Sequence, residues 1–399
     1  MSDYLPFEIQ ITIIKKLPIR ALIQFRSVSK SWKSLIDSSD FIANYHFSNA
    51  PLQHHVLVRS FDSEHEKYVS IVDDDDNFPQ NKIPLIVPSH VRLQLGKFPD
   101  IIGSSQGVLF LWFTPSEFVL WNPTIRKTVP IVVPNLLNNN EFETVVGFGV
   151  CPGTSDPKLV KITYISSLQF KPEKCIPLQV ELFNLSSGSW RSLSMNVPRK
   201  SIEVTWKQVC IDKFIYWLAG DRNLAGNTLQ TKYLILSFDM ITEEFTEIDL
   251  PDNLAYLHND FLLIYKLWTS LLVLDTEFYE IQEYCVWKMD LGVPNTFAKL
   301  FVIKSPFESL LLSTVHDFRI TGQPIIEMFI NNDDKQHAFY VYEPASQEIC
   351  DIGITGGYPC LANHTLQHCF CLIYRGVEDQ DIVIVLKCKC NAKNTQLTP

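Results

Sequence analysis

The chain has 399 residues, of which 46% are hydrophobic, 12% aromatic and 20% charged, a composition that excludes an intrinsically disordered protein. Its net charge is −10, divided into +2 in residues 1–50 and −12 in the remainder. An acidic body of this kind repels phosphate backbones, which argues against nucleic-acid binding.

The first part of the chain, up to residue 46, has the apolar spacing of helices. Ile9, Ile13 and Leu17 recur at intervals of four residues, and Ser29 or Ser31 is suited to cap a third helix. Three helices this short bury little apolar surface, and chains below about 40 residues rarely fold alone. Two explanations stay open: the helices expose an apolar docking surface, or they form a cap packed on the following domain.

The same stretch resembles an F-box in the order of its motifs. These motifs are Leu5-Pro6-Phe7-Glu8-Ile9, Ile13-Ile14, Leu17-Pro18-Ile19-Arg20-Ala21-Leu22, Phe25-Arg26-Ser27-Val28-Ser29-Lys30-Ser31-Trp32, Leu35-Ile36 and Phe41. The resemblance implies a small all-α domain that docks to the Skp-type adaptor of an SCF (Skp-cullin-F-box) ubiquitin ligase, and through it to a cullin scaffold. The adaptor-binding residues that it implies are Leu5, Pro6, Ile9, Ile13, Leu17, Pro18, Leu22 and Val28, with Trp32, Leu35 and Ile36 in support.

The period changes from helical to strand-like after Pro51. Residues 55–61 and 68–72 read as the two strands of a hairpin. Four consecutive aspartates follow at 73–76, where a calcium-binding loop is one alternative. Because Phe78 stands where an EF-hand loop requires glycine and no helices flank the run, we expect a solvated acidic loop instead.

A short pattern recurs through the rest of the chain, in which apolar residues lead into a polar residue, then a turn, then a second strand. The polar residues are Asn122, Asn184, Asp239, Asp290 and Glu343. Their spacings of 62, 55, 51 and 53 residues are typical of a β-propeller of the kelch size class, with one four-stranded sheet per repeat. The alternative is a large sandwich or two separate β-domains.

Six motifs in this region resemble the plant F-box-associated domain. They are Gly103-Ser104-Ser105-Gln106-Gly107-Val108-Leu109, Leu120-Trp121-Asn122-Pro123-Thr124-Ile125-Arg126-Lys127, Gly147-Phe148-Gly149-Val150, Lys158-Leu159-Val160-Lys161-Ile162, Phe214-Ile215-Tyr216-Trp217-Leu218-Ala219 and Val286-Trp287-Lys288-Met289. The paired glycines of true kelch blades occur only as Gly356-Gly357. We expect about six or seven blades.

The predicted fold is therefore a small all-α domain followed by a large all-β domain. We place the F-box helical domain at residues 1–47, a linker at 48–53, the F-box-associated β-propeller-like domain at 54–392 and a C-terminal tail at 393–399.

The sequence carries no recognised catalytic motif: it has no nucleophile elbow, no phosphate-binding loop and no zinc-protease helix. We expect no catalytic residue, no cofactor and no metal site. The cysteines at 369, 371, 388 and 390 are a zinc alternative, but their close pairing favours small buried side chains in a closing blade. The tryptophans at 112, 121, 190, 206, 217, 268 and 287 should pack between blades, with one or two near a rim as alternative binding anchors.

These features predict a non-catalytic substrate receptor of an SCF-type ubiquitin ligase, whose β-domain binds an unidentified protein target. Alternatives are a scaffold that pairs with the adaptor without directing ubiquitination, a propeller enzyme, or a pollen-type receptor for secreted ribonucleases. No membrane partner is expected, because the longest apolar run, residues 261–274, is too short to span a bilayer. No export signal is recognisable, which indicates the cytoplasm or the nucleus.

Overall fold

The computed structural model describes most of the chain, with gaps. The described residues are 5–17, 19–38, 40–41, 52–61, 66–73, 78–84, 100–114, 117–123, 127–134, 142–165, 178–193, 198–199, 201–222, 231–257, 262–277, 283–290, 296–305, 312–331, 336–357, 368–376 and 384–387. Their secondary structure is mostly β.

In the described residues, three short helices lie at the amino end, and a fourth follows the fifteenth strand. They are α1 (Phe7–Ile14), α2 (Ile19–Phe25), α3 (Lys30–Ile36) and α4 (Asp252–Ala255). The cap of α3 is Ser29, whose hydroxyl accepts a hydrogen bond from the Trp32 backbone N–H at 3.1 Å. These three helices lie within the stretch, up to residue 46, that has the apolar spacing of helices. The predicted boundary at residue 47 lies outside the described residues.

The described strands form six sheets, each a blade of a propeller. Blade 1 contains β1 (Leu52–Phe61), β2 (Glu66–Val72) and β3 (Lys82–Pro84). Blade 2 consists of β4 (Asp100–Ser105), β5 (Val108–Thr114), β6 (Glu117–Asn122) and β7 (Lys127–Val132), and blade 3 of β8 (Phe142–Val150), β9 (Pro157–Ile165), β10 (Gln179–Asn184) and β11 (Ser189–Leu193).

Blade 4 consists of β12 (Ile202–Ile211), β13 (Phe214–Asp221), β14 (Lys232–Asp239) and β15 (Phe245–Asp249). Blade 5 consists of β16 (Leu262–Leu267), β17 (Ser270–Glu277), β18 (Glu283–Met289) and β19 (Phe297–Lys304). Blade 6 consists of β20 (Leu312–Phe318), β21 (Pro324–Asn331), β22 (Gln336–Tyr342) and β23 (Ile349–Gly357).

Two strands from the carboxyl end complete blade 1. They are β24 (His368–Gly376) and β25 (Ile384–Lys387). The β24 strand pairs antiparallel with β1, from Leu52 opposite Gly376 to Val56 opposite Leu372. Blade 1 is therefore built from both ends of the chain, and β24 takes the inner position next to β4 and β20. The described strands form six blades, within the expected range, and their arrangement is that of one propeller.

The β1–β2 hairpin confirms the strands predicted at 55–61 and 68–72, and its first strand starts earlier, at Leu52. That start lies inside the segment 48–53 that the sequence suggested as a linker. It also places the strand that pairs with β24 only 16 residues after the end of α3 at Ile36.

The polar residues that revealed the repeat mark the turn between the third and fourth strands of a blade. Asp239 is the last residue of β14, and its carboxylate accepts the backbone N–H groups of Ile241 and Thr242 at 2.8 and 3.2 Å. The N–H of Glu243, at a positive φ of 60°, donates to the Asp239 carbonyl at 2.8 Å. The same backbone bond joins Gly188 to Asn184 and Gln347 to Glu343. A short polar side chain stabilises such a turn locally, which is why the repeat is visible in the sequence.

Blade 1 has its own member of this series, which corrects one expectation. Asp73 directly follows the third strand of its blade, β2, and is 4% exposed rather than part of a solvated loop. Its carboxylate accepts hydrogen bonds from Arg319 Nε at 2.7 Å and from the Ile320 backbone N–H at 2.9 Å, both on the first turn of blade 6. The expectation was wrong for Asp73 because an aspartate run resembles a surface loop unless its partner is known. Residues 74–76 lie outside the described part.

Apolar side chains pack between neighbouring blades. Both faces of a blade are covered, so strands such as β9 are buried along almost their whole length. The glycine of the Gly147 motif has a specific packing role, because a Cβ there would lie 2.1 Å from the Trp217 ring, between blades 3 and 4. Two of the motifs that carry the family resemblance therefore contact each other.

Gln208 on β12 joins three blades at their inner strands. Its side-chain amide donates to the Ile102 carbonyl of β4 at 3.3 Å, and its carbonyl accepts the Phe148 N–H of β8 at 3.4 Å. Gly103 leaves room for this side chain, since a Cβ there would lie 1.7 Å from Gln208 Nε2. The inner strands of blades 2, 3 and 4 are thereby held together by one polar side chain.

Asp317 on β20 gives a prediction for the pH dependence of stability. Burial raises the pKa of its carboxyl to about 7, against the opposing effects of the Phe318 N–H bond and of Lys207 and Lys266. The folded protein therefore holds a proton that the unfolded chain releases near 3.8, and this group's contribution to stability falls as pH rises from about 4 to about 7.

In the wild type, this group makes the unfolding free energy higher at pH 5 than at pH 8. We expect the drop between the two pH values to be about 2 kcal/mol smaller in Asp317→Asn than in the wild type. Asparagine keeps the acceptor for the Phe318 N–H but does not titrate. Urea unfolding of both proteins at the two pH values measures this. An identical pH difference in both proteins would contradict the assignment.

Candidate functional site

The three amino-terminal helices enclose a small apolar core of their own. Ile14, Leu22, Ile36 and Phe41 are buried in it, with Leu17, Phe25, Trp32 and Leu35 packed around them. The rings of Phe25 and Trp32 meet edge to face at 5.1 Å, and the Trp32 indole donates to Gln10 Oε1 at 2.9 Å, which joins α3 to α1. The helices are thus fixed relative to one another by ordinary packing.

A second set of apolar side chains points away from this core. We call it the apolar surface; its members are Leu5, Phe7, Ile9, Ile13 and Val28, which are between 41% and 62% exposed. Ile9 and Ile13 are one helical turn apart on α1, so they present a continuous stripe. Five large apolar side chains exposed within 24 residues are unusual for a solvated face and typical of a docking surface.

The structure distributes the predicted site residues between the surface and the core. The exposed ones are Leu5, Pro6, Ile9, Ile13 and Val28; the partly buried ones are Leu17, Trp32 and Leu35; the buried ones are Leu22 and Ile36. Pro18 lies outside the described residues. The structure differs from expectation at Leu22, which was assigned to face a partner but is only 2% exposed and packs in the helical core.

Phe7 belongs to the apolar surface and was not among the predicted residues. It begins α1 and is 44% exposed. The signal was present in the sequence, since Phe7 stands between Pro6 and Ile9, which were both predicted. Helical spacing alone did not select it, because α1 has apolar residues on more than one face.

One ion-pair cluster connects the helices to the propeller. Asp37, at the carboxyl end of α3, accepts a hydrogen bond from Arg26 at 2.7 Å, and its other oxygen lies 3.0 Å from Lys127 Nζ at the start of β7. Partial burial opposes ionisation of Asp37, but the hydrogen bonds from Arg26 and Lys127 outweigh it and lower the pKa of the carboxyl. The cluster lies between α3 and blade 2, and it does not involve the apolar surface.

Other candidate sites are not supported in the described residues. The described residues contain no group of three or more His, Cys, Asp or Glu side chains arranged to hold a metal ion. The backbone at Cys369 and Cys371 lies in β24, in the closing blade as expected, whereas Cys388 and Cys390 lie outside the described part. Within that part, no helix has the length and apolar character needed to cross a bilayer.

The tryptophans mostly pack inside or between blades, as expected. Trp121 and Trp217 are fully buried, and Trp112 and Trp190 contact the apolar core between blades 2 and 3. Trp268 is the exception, because it is half exposed in the turn between β16 and β17. Its indole N–H donates to the Ile320 carbonyl at 2.7 Å, so it stands at the rim of blade 5 against blade 6.

Comparison with protein families finds two matches. Residues 3–44 match the family described as F-box domain, and residues 98–365 match the F-box associated beta propeller domain. Together they contain the apolar surface and five of the six repeat residues.

Several curated relatives are proteins of Arabidopsis thaliana. F-box protein CPR1 is 24% identical over 326 residues, covering 76% of this chain and 73% of the relative, and F-box protein At2g21930 is 24% identical over 251 residues, covering 61% and 60%. In three further relatives, the chain spans 62–64% of the relative's length.

Among solved structures, the beta-propeller domain of Cps50 (Swd1) from Myceliophteria thermophila has a TM-score of 0.38 at 12% identity, covering 76% of this chain and 86% of that one. A similarity this low carries no argument about function.

Proposed function

The chain belongs to the family of F-box proteins with an F-box-associated β-propeller domain, and from this we propose that it is the substrate receptor of an SCF-type ubiquitin ligase. In this role the F-box binds a Skp-type adaptor, the adaptor binds a cullin, and the propeller binds a protein target in the cytoplasm or nucleus. The end of the F-box domain at residue 47 is part of the proposal, whereas the propeller begins at Leu52 or earlier, because β1 starts there, and not at residue 54.

The apolar surface is the observation that carries the proposal. Leu5, Phe7, Ile9, Ile13 and Val28 are exposed although the helical core next to them is already filled. Burying an exposed isoleucine side chain in an interface contributes about 2 kcal/mol, which is enough for a few such residues to hold a partner. A partner with an apolar groove would cover them.

The proposed contribution to ubiquitination is positioning and not chemistry. A receptor that holds a target near the ubiquitin-loaded enzyme raises the effective concentration of the target's lysines. The Asp37 cluster supports this role, since it places an ion pair between the helices and blade 2. F-box and F-box-associated domains are typical of such non-catalytic receptors.

We expect Ile9→Asp to weaken binding to a Skp-type adaptor at least about tenfold, because a buried interface would have to accept a carboxylate in place of an apolar side chain. The matched control is Ile241→Asp, which places the same charge at a similarly exposed isoleucine of the propeller. Biolayer interferometry with purified adaptor and full-length chain measures both.

Equal adaptor affinity of the two variants would overturn the docking role of the apolar surface. Circular dichroism of Ile9→Asp checks that the helices are retained. If the wild-type chain binds adaptor but the assembled ligase ubiquitinates no protein captured by the propeller, the scaffold role is correct and the receptor role is wrong.

A further inference from the structure

Three blades make the same tight turn between their first two strands. The turns are Gln106-Gly107 in blade 2, Asp212-Lys213 in blade 4 and Trp268-Thr269 in blade 5, each with two residues between the paired strands. In each turn the first residue has a left-handed backbone, with φ of 45°, 51° and 55°. The first positions of the three turns can therefore be compared directly.

Tryptophan is an unfavourable residue for the first position of such a turn. Hairpin turns of two residues require a positive φ and prefer glycine, asparagine or aspartate there. A bulky side chain in this backbone region is a genuine outlier. Blades 2 and 4 have the polar residues Gln106 and Asp212 at this position, so the geometry of the turn does not explain the choice of Trp268 in blade 5.

Burial does not explain it either. Trp268 is 53% exposed, whereas the other seven tryptophans of the chain are buried or partly buried. Its indole N–H donates to the Ile320 carbonyl at 2.7 Å, which orients the ring against the first turn of blade 6. An unfavourable backbone at a residue that gains little burial is a feature of functional positions. An oriented, half-exposed indole ring is suited to pack against a partner.

The end of the propeller at which Trp268 lies is acidic. In blades 4, 5 and 6, the turns at this end, taken with two strand residues on each side, contain eight acidic and four basic side chains. The acidic ones are Asp212, Asp239, Glu243, Glu244, Asp290, Asp317, Glu343 and Glu348, and the basic ones are Lys213, Lys266, Lys288 and Arg319. Lys213 is paired with Asp239 at 2.6 Å, and Arg319 with Asp73 at 2.7 Å. A cationic partner is complementary to this end.

The opposite end of these three blades is acidic as well. Charge therefore defines the kind of partner, and Trp268 defines the place.

We infer that Trp268 anchors a basic segment of a partner protein, with an arginine or lysine of that segment lying over the indole ring. The ring's quadrupole attracts a cation over its face, and tryptophan is the best of the aromatic residues for this contact. The aliphatic stem of the partner's side chain covers apolar ring surface, while the surrounding carboxylates attract its charge. Calling this partner the ubiquitination target rests on the proposed function, but the binding itself does not.

Trp268 lies at the same end of the propeller as the contact with the helices. In a four-stranded antiparallel blade, the turn after the first strand and the turn after the third strand are at one end. Trp268 is in a turn of the first kind in blade 5, and Lys127 directly follows a turn of the second kind in blade 2. A segment bound at Trp268 is therefore on the end of the propeller that α3 contacts through Asp37.

The experiment uses the full-length chain and three fluorescent peptides of equal length. One peptide alternates arginine and glycine, the second has citrulline in place of each arginine, which keeps the shape without the charge, and the third has glutamate there. Fluorescence anisotropy gives the affinities. We expect saturable binding of the arginine peptide, and binding of the citrulline and glutamate peptides that is at least about tenfold weaker.

Trp268→Asn should weaken binding of the arginine peptide at least about tenfold, because asparagine suits the turn but offers no ring. Trp268→Phe keeps a ring and should bind the peptide more tightly than Trp268→Asn. The matched control is Tyr256→Asn, which removes a 48% exposed aromatic side chain from the opposite acidic end and should leave binding unchanged. Urea unfolding confirms that the variants are folded.

Equal binding of the arginine and citrulline peptides, equal losses in Trp268→Asn and Tyr256→Asn, or no saturable binding at about 1 mM peptide would overturn the inference. Adaptor binding is measured on the same proteins. If it is intact while the arginine peptide does not bind, the Trp268 site is wrong and the proposed function stands. If the wild type does not bind the adaptor, the proposed function fails independently of the peptide result.

Discussion

Asp73→Ala is expected to destabilise the protein by about 3–5 kcal/mol, measured as the loss in unfolding free energy by urea titration. The change removes one partner of a buried ion pair: the side chains of Asp73 and Arg319 are 0% and 7% exposed. Arg319 would then remain buried without its carboxylate, a more costly situation than the absence of the pair. The Ile320 N–H would lose its acceptor as well.

The Asp73–Arg319 pair joins two different blades, which increases the stability that its loss should cost. Asp73 belongs to the amino-terminal part of blade 1 and Arg319 to blade 6, so the bond crosses the seam at which the ring closes. The ring of Phe78 covers the Arg319 guanidinium at 4.2 Å, which excludes water from the pair. Loss of the Asp73–Arg319 pair therefore weakens the attachment of the β1–β2 hairpin to blade 6, and β1 of this hairpin also pairs with β24.

The control is Asp249→Ala, which removes the acidic partner of Lys232 from a pair on the surface of blade 4. Exposed pairs contribute about 0–1 kcal/mol, so this variant should unfold close to the wild type. A second comparison is the double variant Asp73→Ala with Arg319→Met, which should lose less stability than Asp73→Ala alone because no charge stays buried. If the double variant is the less stable of the two, the assigned role of the ion pair is wrong.

Glu327→Ala is expected to cost about 3–5 kcal/mol for a related reason. Glu327 is fully buried in blade 6, with Oε2 3.0 Å from His316 Nε2 and Oε1 3.3 Å from His337 Nδ1. The two imidazoles are themselves buried, against the ring of Phe339 at 5.2 Å and that of Phe329 at 4.3 Å. Alanine leaves both imidazoles without this carboxylate and opens a cavity beside them.

Glu327→Gln serves as the matched control, since it keeps the volume and one acceptor oxygen. We expect it to lose clearly less stability than Glu327→Ala in the same urea titration. Equal losses would show that the carboxylate charge decides the effect and not the cavity. A loss below about 1 kcal/mol for Glu327→Ala would contradict a stabilising role for the cluster.

The propeller could be predicted from the sequence because its turns are local. Asp239 and the N–H groups of Ile241 and Thr242 lie within four residues of one another, so each blade carries its own signature. Blade 1 could not be found in this way. Asp73 precedes Asn122 by 49 residues and continues the series, but its partner Arg319 is 246 residues away in the sequence.

The exposure of the helical side chains could be predicted only in part, for a similar reason. Spacing placed Ile9 and Ile13 on one face of α1, and the family resemblance assigned that face to a partner. Neither the spacing nor the resemblance could show that Leu22 turns inward, because α2 has apolar residues around most of its circumference. The positions of α1 and α3 decide which side of α2 is covered. Asp37 and Lys127 are 90 residues apart in the sequence, so no local pattern could predict their contact.

The completion of blade 1 by β24 sets the order of events during synthesis. A ribosome that has released residues up to 357 has made the F-box helices and five whole blades, but β1 still lacks its neighbour on the inner side. At that stage the nascent chain presents an open β-strand edge together with its apolar surface, two features that favour aggregation. Synthesis of β24 therefore closes the ring, and a product truncated before β24 keeps the three amino-terminal helices on a body that cannot close.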